Sequence, residues 1–228
     1  MKRYLFCIFI SEPKILENLL KTMRNYKFTR DWFSWNIPRW KETLSQLSNK
    51  KINVLEIGVF EGRSTTWILE ELIKNPKSKV IGIDTFEEMF ANHDSEPTFH
   101  ENIKESGKEN QIEIIKKKSF DALSKLNYEK EIRFDFIYVD GSHLSCDALS
   151  DIVLSWNLLK IGGIMIIDDY ESDYYEEEYN NPRIAVDSFL RCYQCQIEII
   201  YKRYQVAIRK VFKEFPKTKR EDKKRIDE

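Results

Sequence analysis

From Lys51 onward the sequence alternates between short apolar runs and helical segments, and this order restricts the fold more than any other feature. Five runs rich in Ile and Val stand at 52–57, 80–83, 112–115, 134–139 and 161–167. Several are continuous rather than alternating, which is typical of strands buried on both faces. The intervening segments predict helices at 64–73, 119–126 and 144–159. Strand, helix and strand in this order predict parallel pairs joined by right-handed crossovers.

The carboxyl-terminal part predicts one more helix, at 184–193, and two strands at 196–201 and 204–211. The short connection at Lys202 and Arg203 predicts that these strands form an antiparallel hairpin. The expected fold is α/β: a Rossmann-like, seven-stranded, mostly parallel sheet with a C-terminal antiparallel hairpin and an N-terminal helical cap. We expect the cap in residues 1–50, the main domain in 51–211 and a charged flexible tail in 212–228.

Composition excludes several functional classes. Among 228 residues, 37 are Lys or Arg and 38 are Asp or Glu, and a net charge of −1 argues against a general nucleic-acid binder. No apolar run approaches the roughly 20 residues that span a bilayer. The apolar run at residues 4–10 is short and is followed by no small-residue cleavage site, so it predicts a short strand or anchoring segment rather than a signal peptide. The lone pair Cys192 and Cys195 favours a reduced, cytoplasmic protein over a zinc site.

A glycine-containing loop follows the first predicted strand and leads into a helix. Its pattern, Glu56-x-Gly58-x-x-x-Gly62, differs from the G-x-G-x-x-G of dinucleotide binders. Gly58 lets a ligand lie against the backbone, and Gly62 lets the loop turn into the helix. We expect Ser64 and Thr65 to satisfy free N–H groups at the helix start, where a ligand carboxylate is also favoured.

The second predicted strand ends at Asp84, 22 residues after Gly62. A carboxylate at this position can accept both hydroxyls of a ribose. Either feature alone also fits an ordinary α/β turn. Together, within a strand–helix–strand unit, they favour an adenosine-containing cofactor.

Acidic residues also follow the fourth and fifth predicted strands. Asp140 follows the fourth, with His143 three residues later, and Asp168 and Asp169 follow the fifth. In an open α/β sheet these carboxyl ends face one crevice beside the cofactor cleft. Converging carboxylates repel one another unless a cation lies among them, and divalent ions such as Mg²⁺ prefer oxygen ligands. Histidine, with an ordinary pKa of about 6.5, can accept a hydroxyl proton near neutral pH.

Simpler roles for these residues remain open. Asp140 or His143 can serve as a helix-start residue, and Asp168 can bind an amino group. We expect Asp147 and Asp151 to be surface or helix-start charges. The stretch 168–178 holds seven acids in eleven residues and predicts a solvated loop. Its tyrosines, with Trp32 or Trp35, can stack on a sugar or aromatic ring or simply pack a core.

Taken together, these motifs resemble the class I S-adenosylmethionine-dependent methyltransferases, of the small branch often called family 24. The resemblance covers about residues 30–211 and includes the segments at 31–38, 156–163, 185–190 and 204–209. It implies S-adenosylmethionine as the cofactor, bound by Glu56, Gly58, Gly62, Ser64, Asp84, Ser119, Phe120 and Asp140. Such enzymes usually carry an acid near the adenine where this chain has Lys118, so that role passes to Ser119 and the nearby backbone.

The resemblance also implies Mg²⁺ or a similar divalent cation on Asp140, Asp168 and Asp169, with His143 and Asp140 as catalytic residues. The predicted function is a metal-assisted O-methyltransferase acting on a hydroxyl of a sugar, a glycan or another small molecule. No nucleic-acid or membrane partner is expected. Aromatic residues 32–40 can form a lid, a homodimer contact or both, and the sequence does not choose between these roles. Two alternatives stay open: a metal-independent methyltransferase acting on nitrogen or a phenol, and a non-catalytic cofactor-binding interaction module.

Overall fold

The computed structural model describes residues 24–87 and 93–211. Its strands are β1 (Asn53–Ile57), β2 (Lys79–Asp84), β3 (Ile112–Lys116), β4 (Phe134–Val139), β5 (Leu159–Ile167), β6 (Ile197–Lys202) and β7 (Val206–Lys210). They form one mixed sheet in the order β3-β2-β1-β4-β5-β7-β6. The pairs β1–β2, β2–β3 and β4–β5 are parallel, whereas β5–β7 and β6–β7 are antiparallel. The predicted Rossmann-like fold with a terminal hairpin is confirmed.

The helices are α1 (Ile37–Leu44), α2 (Arg63–Trp67), α3 (Ser95–Ser106), α4 (Ser119–Glu129), α5 (Ser145–Leu158) and α6 (Pro182–Cys192). Helix α2 continues as a π-helical turn over Ile68–Leu72. Short 3₁₀ turns lie at Ser34–Asn36, Ser45–Leu47, Glu109–Gln111, Glu178–Asn180 and Gln194–Gln196. Helix α3 was not predicted, although its ends carry ordinary signals. The Asp94 side chain accepts from the Glu96 N–H at 3.1 Å, and Gly107 ends the helix with φ +64°.

The chain divides into two compact units, one up to Lys118 and one from Ser119 onward. In the first unit the core lies along β1 and β2, where Val54, Leu55 and Val80 are fully buried. Gly82 packs closely there: a Cβ atom would lie 2.7 Å from Ile114 Cδ1, so a larger residue would require that side chain to shift. In the second unit the core lies along β4 and β5, and aromatic side chains from α5 and α6 pack beside it.

Several predictions fall on parts of the chain that lie outside the described residues: the apolar run 4–10, the first part of the cap and the tail 212–228. The division into cap, main domain and tail therefore stays a prediction. Cys146, Cys192 and Cys195 are free thiols. In residues 24–87 and 93–211, no helix is long and apolar enough to cross a membrane.

Candidate functional site

The glycine loop after β1 adopts the sharply turned backbone that its sequence predicts. Gly58 and Gly62 have φ of +81° and +83°, a region that glycine enters without strain. The Gly58 N–H donates to the carbonyl of Ile83 at 2.9 Å, which ties the loop to β2. A Cβ atom on Gly62 would lie 3.0 Å from Phe99 Cδ2, so α3 also packs closely on this loop.

Asp84, at the end of β2, closes the glycine loop from the other side. Its Oδ2 accepts from the backbone N–H groups of Val59 at 2.8 Å and Phe60 at 3.0 Å. Its Oδ1 accepts from the Phe86 N–H at 2.8 Å. A carboxylate accepts about four hydrogen bonds, so one acceptor position on Oδ1 remains for a ligand hydroxyl. Acceptance of both ribose hydroxyls by Asp84 stays a prediction.

Glu56 is fully buried beneath the same loop. Its carboxylate accepts from the Ser64 hydroxyl and, at 2.7 Å, from the Thr65 hydroxyl. The expectation that these hydroxyls satisfy N–H groups at the helix start is wrong, because they donate to Glu56 instead. Burial raises the pKa of Glu56 to about 7, although both hydroxyls lower it, and the charge of Asp84 adds to the rise.

A second buried glutamate joins the N-terminal segment to the loop. The Glu61 carboxylate accepts from the Thr29 N–H at 2.7 Å and from the Thr29 hydroxyl at 2.8 Å. The Asn102 amide donates to the carbonyl oxygens of Lys27 and Glu61, each at 2.8 Å. Sequence reasoning missed this hub, because its partners are 32 to 75 residues apart and form no local motif.

In the second unit, the structure brings Asp140, His143 and Asp169 together. One potential ligand atom from each lies within 4.8 Å of the others. His143 Nε2 is 3.0 Å from Asp169 Oδ2, and the imidazole stacks on the Tyr174 ring with centroids 4.3 Å apart. These side chains line a cleft with Gly141 and the end of β5.

Asp169 is held by several side chains of the second unit. Its Oδ1 accepts from Tyr204 at 2.7 Å, Ser172 at 2.9 Å and Tyr174 at 3.2 Å. Its backbone has φ +59°, a conformation that non-glycine residues rarely adopt. Burial alone would raise the pKa of Asp169, but the hydrogen bond and charge of His143, with the hydroxyl donors, bring it below its usual value.

Asp168 points into the protein and is not part of this group of three. Its Oδ2 accepts from the Tyr138 hydroxyl and, at 2.8 Å, from the Gln205 amide. Tyr138 is also 2.9 Å from Asp140 Oδ2, yet one hydroxyl has a single proton to donate. Tyr138 can therefore donate to only one of the two acids at a time. Burial and the charge of Asp169 raise the pKa of Asp168.

The profile of the Methyltransf_24 family, a methyltransferase domain, matches residues 55–170. This range begins inside β1 and ends just after Asp169, so it includes both the glycine loop and the acidic cluster. The chain belongs to this family. The class I methyltransferase resemblance inferred from the motifs is thereby confirmed.

Similar proteins agree with this assignment. O-methyltransferase hkm8 of Aspergillus hancockii is 29% identical over 123 residues, which are 54% of this chain and 44% of that protein. The structure of MycE methyltransferase from the mycinamycin biosynthetic pathway, with Mg, SAH and mycinamycin VI, has a TM-score of 0.59 at 16% identity. The match covers 80% of this chain and 51% of the MycE chain. CalS11, a TDP-rhamnose 3′-O-methyltransferase, has a TM-score of 0.59 at 15% identity. That match covers 88% of this chain and 87% of the CalS11 chain.

The chain spans about half the length of the first relatives it matches, hkm8 and MycE. At 15% and 16% identity, the two solved structures show that the fold is shared.

The remaining residues predicted for the site lie around α4 and α5. Ser119 is the first residue of α4, and the next side chain, Phe120, is 58% exposed. Asp147 accepts from the Ser142 hydroxyl at 2.9 Å near the start of α5, as expected. Asp151 was expected at the surface, but it is buried at 1% exposure, and this expectation is wrong. Burial raises the pKa of Asp151 to about 6, although the Ser119 hydroxyl lowers it.

Proposed function

We propose that this methyltransferase transfers the methyl group of S-adenosylmethionine to a hydroxyl of a sugar, a glycan or another small molecule, with the help of a divalent cation. The grouping of Asp140, His143 and Asp169 is the observation that carries the proposal. Two carboxylates and an imidazole at the carboxyl ends of parallel strands are suited to bind a cation and to accept a proton.

The donor set fits a hard divalent cation. Asp140 and Asp169 would hold it through carboxylate oxygens, and the low pKa of Asp169 keeps that acid charged. Such an ion, when bound, lowers the pKa of a coordinated hydroxyl. Asp168 remains a proposed ligand, although its carboxylate already accepts hydrogen bonds from Tyr138, Gln205 and the Asp169 N–H.

His143 is the proposed base. Its Nε2 faces Asp169, which favours the tautomer that carries the proton on Nε2 and leaves Nδ1 able to accept one. The stacked Tyr174 ring restricts rotation of the imidazole. Proton transfer from the acceptor hydroxyl to Nδ1 would make the oxygen a better nucleophile for the methyl group.

The first unit is proposed to hold the cofactor. Gly58 leaves room beside the backbone, Asp84 has a free acceptor position for the ribose, and Glu56 lies beneath the loop. Ser119 and Phe120, the first residues of the second unit, stay predicted adenine contacts. S-adenosylmethionine supplies an activated methyl group, so the protein contributes mainly orientation and electrostatics.

A neutral sugar or glycoside is the acceptor that we favour. Exposed tyrosines, Tyr174, Tyr175 and Tyr179, follow β5 and offer faces for stacking on a sugar ring. The acids of the same loop disfavour strongly anionic acceptors. By their descriptions, MycE belongs to the mycinamycin biosynthetic pathway and CalS11 is a TDP-rhamnose 3′-O-methyltransferase, which supports a sugar acceptor. The preference for a neutral sugar rests on the acidic loop alone.

Calorimetric titration with S-adenosylhomocysteine, with and without Mg²⁺, tests cofactor binding first. Transfer of labelled methyl from S-adenosylmethionine to panels of glycosides and phenols then tests the reaction, with and without a chelator. We expect turnover that is lost on chelation and falls about 10²–10⁴-fold in His143→Ala. Asp173→Asn, in the acidic loop, is the control and should keep turnover. Full turnover of His143→Ala would rule out this mechanism.

A metal-independent reaction is the second candidate, because the 3.0 Å contact between His143 and Asp169 is itself an acid–base pair. In that case chelation leaves turnover unchanged, while His143→Ala and Asp169→Asn both reduce it. Binding of S-adenosylhomocysteine without turnover on any acceptor would favour the interaction-module alternative.

A further inference from the structure

The N-terminal segment at residues 31–36, here called the Asp31 turn, is fixed to the start of α2. Arg63 donates through Nε and Nη2 to the two carboxylate oxygens of Asp31, at 2.7 Å each. The same guanidinium donates to the Ser34 hydroxyl at 2.7 Å. Asp31 also accepts from the Ser34 N–H at 2.9 Å. A planar fork held at this many points gives the turn a defined position beside the glycine loop.

Asn36, at the end of this turn, is an unexplained buried polar residue. The residue is 3% exposed, and among the described residues its Nδ2 has no hydrogen-bond partner. It precedes α1, where an asparagine usually caps the helix, but its side chain makes no capping bond. A buried donor without an acceptor is costly, so helix capping does not explain why asparagine stands here.

A second donor without a described partner belongs to the same part of the first unit. The indole Nε1 of Trp67, in α2, is buried and unpaired among the described residues. The Trp67 ring contacts Phe33 and Trp40, with centroids 6.0 Å and 5.4 Å away, and Asn36 stands between these two residues in sequence. Both orphan atoms are N–H donors, so the group that would satisfy them is an acceptor such as a carboxylate.

We propose that Asn36 donates to the carboxylate of the amino-acid portion of S-adenosylmethionine, and that Arg63 is the positioning residue that holds Asn36 in place. This inference rests on the proposed function, because that cofactor carries the carboxylate. The guanidinium of Arg63 is already paired with Asp31, so it acts through the turn rather than on the ligand. The neutral amide then supplies a directed donor at a buried position.

Two ligands distinguish a contact with the carboxylate from a general effect on cofactor binding. S-adenosylhomocysteine carries the carboxylate, whereas 5′-methylthioadenosine keeps the adenine, ribose and sulfur but lacks the amino-acid portion. Calorimetry on the full chain should show that Asn36→Asp lowers the affinity for S-adenosylhomocysteine about ten- to hundred-fold. The reason is that a hydrogen bond to a charged group is lost and a like charge is added. Its affinity for 5′-methylthioadenosine should stay within about two-fold of wild type.

Asn110→Asp makes the same charge change at an exposed site of the first unit and should alter neither affinity. Asn36→Ser, which adds no charge, should show the same selective loss more weakly and serves if Asn36→Asp does not fold. Arg63→Lys keeps the charge but loses the two-point contact with Asp31. It too should lower the affinity for S-adenosylhomocysteine and leave that for 5′-methylthioadenosine unchanged.

Equal loss of both ligands, or unchanged binding of S-adenosylhomocysteine in the Asn36 variants, would overturn the inference and leave the proposed function standing. A wild-type protein that binds neither ligand would overturn the proposed function, and the inference with it.

Discussion

Two acids of this member of the methyltransferase-domain family, Asp84 after β2 and Asp169 after β5, are held in opposite ways. Asp84 accepts from three backbone N–H groups, two of which belong to the glycine loop. Asp169 accepts from side chains, including Tyr204, 35 residues away, and His143. An acid held by backbone is positioned by loop geometry, whereas an acid held by side chains depends on several distant residues at once. The first kind of site leaves a sequence motif, and the second leaves much less of one.

The largest effect should come from Asp84→Ala, which breaks the backbone-held side of the comparison. The change removes the acceptor of the Val59 and Phe60 N–H groups and the proposed ribose partner. Since each hydrogen bond to a charged group contributes about 1.5–3 kcal/mol, S-adenosylhomocysteine should bind about 10²–10⁴-fold more weakly by calorimetry. Asp94→Ala, which removes the cap of α3 in the same unit, should alter this affinity little. Equal losses in both variants would show that general destabilisation is responsible.

Next in size is a pH effect from Glu56. Its pKa rises from 4.5 to about 7 on folding, so the folded state binds more protons than the unfolded state between these values. The contribution is fully present below pH 4.5 and is lost as pH rises through about 7, to a total of about 3 kcal/mol. Glu56→Gln should flatten this fall in urea unfolding measured from pH 5 to 8.

The buried Asp151, with a pKa near 6, contributes a fall of the same sign. A residual slope in Glu56→Gln is therefore expected. Glu56→Gln with Asp151→Asn should reduce this slope further, and the raised pKa of Asp168 accounts for a fall that remains. An unchanged slope in the double variant would contradict the assignment.

A smaller effect is expected from Tyr204→Phe, which tests the side-chain-held acid. Loss of one hydrogen bond to Asp169 should destabilise the protein by about 1–3 kcal/mol near neutral pH. The lowered pKa of Asp169 gives stability that is present above its ordinary pKa and lost as pH falls through its folded value. Tyr204→Phe should therefore reduce the loss of stability on acidification, followed by thermal unfolding from pH 7 to 3.

Tyr170→Phe is the matched control for Tyr204→Phe. Its hydroxyl is 3.2 Å from the carboxylate of Asp187 at an exposed position, so its loss should hardly change stability. Indistinguishable curves for the two variants would show that Asp169 does not depend on Tyr204.

The smallest effect should come from Lys27→Ala. This change compares an exposed ion pair of the N-terminal segment with the hydrogen bonds that the same segment makes to buried Glu61. The Lys27–Glu101 ion pair is well exposed, and such pairs contribute at most about 1 kcal/mol. Thr29→Val, which removes one donor to the buried Glu61, should cost more in the same thermal unfolding experiment. A larger loss from Lys27→Ala would contradict the role of Glu61 as the hub.

Much of the fold could be predicted because the apolar runs are long enough to identify buried strands. All seven strands were expected, with ends within about two residues of those observed. Helix α3 was missed because its apolar positions are few, and its cap at Asp94 and its end at Gly107 were not used. Among the site residues, the conformations of Gly58 and Gly62 were expected from sequence alone.

Other parts of the site could not be predicted from local patterns. Asp151 looked like a surface acid because its helix position alone does not reveal which face packs on the rest of the unit. Asp168 and Asp169 are adjacent in sequence, yet one turns inward to Tyr138 and Gln205 while the other joins His143. The positive φ of Asp169 accompanies this divergence, and nothing in the sequence of the strand predicts it.

The sequence by itself determined the strand order along the chain, the glycine loop and the acids that follow the strands, because these depend on hydrophobic periodicity and on backbone geometry at glycine. The tertiary structure alone decided which acids share hydroxyl donors, which carboxylate is buried and which histidine contact forms. Those choices depend on side chains that are distant in sequence and meet only when the strands and helices have packed.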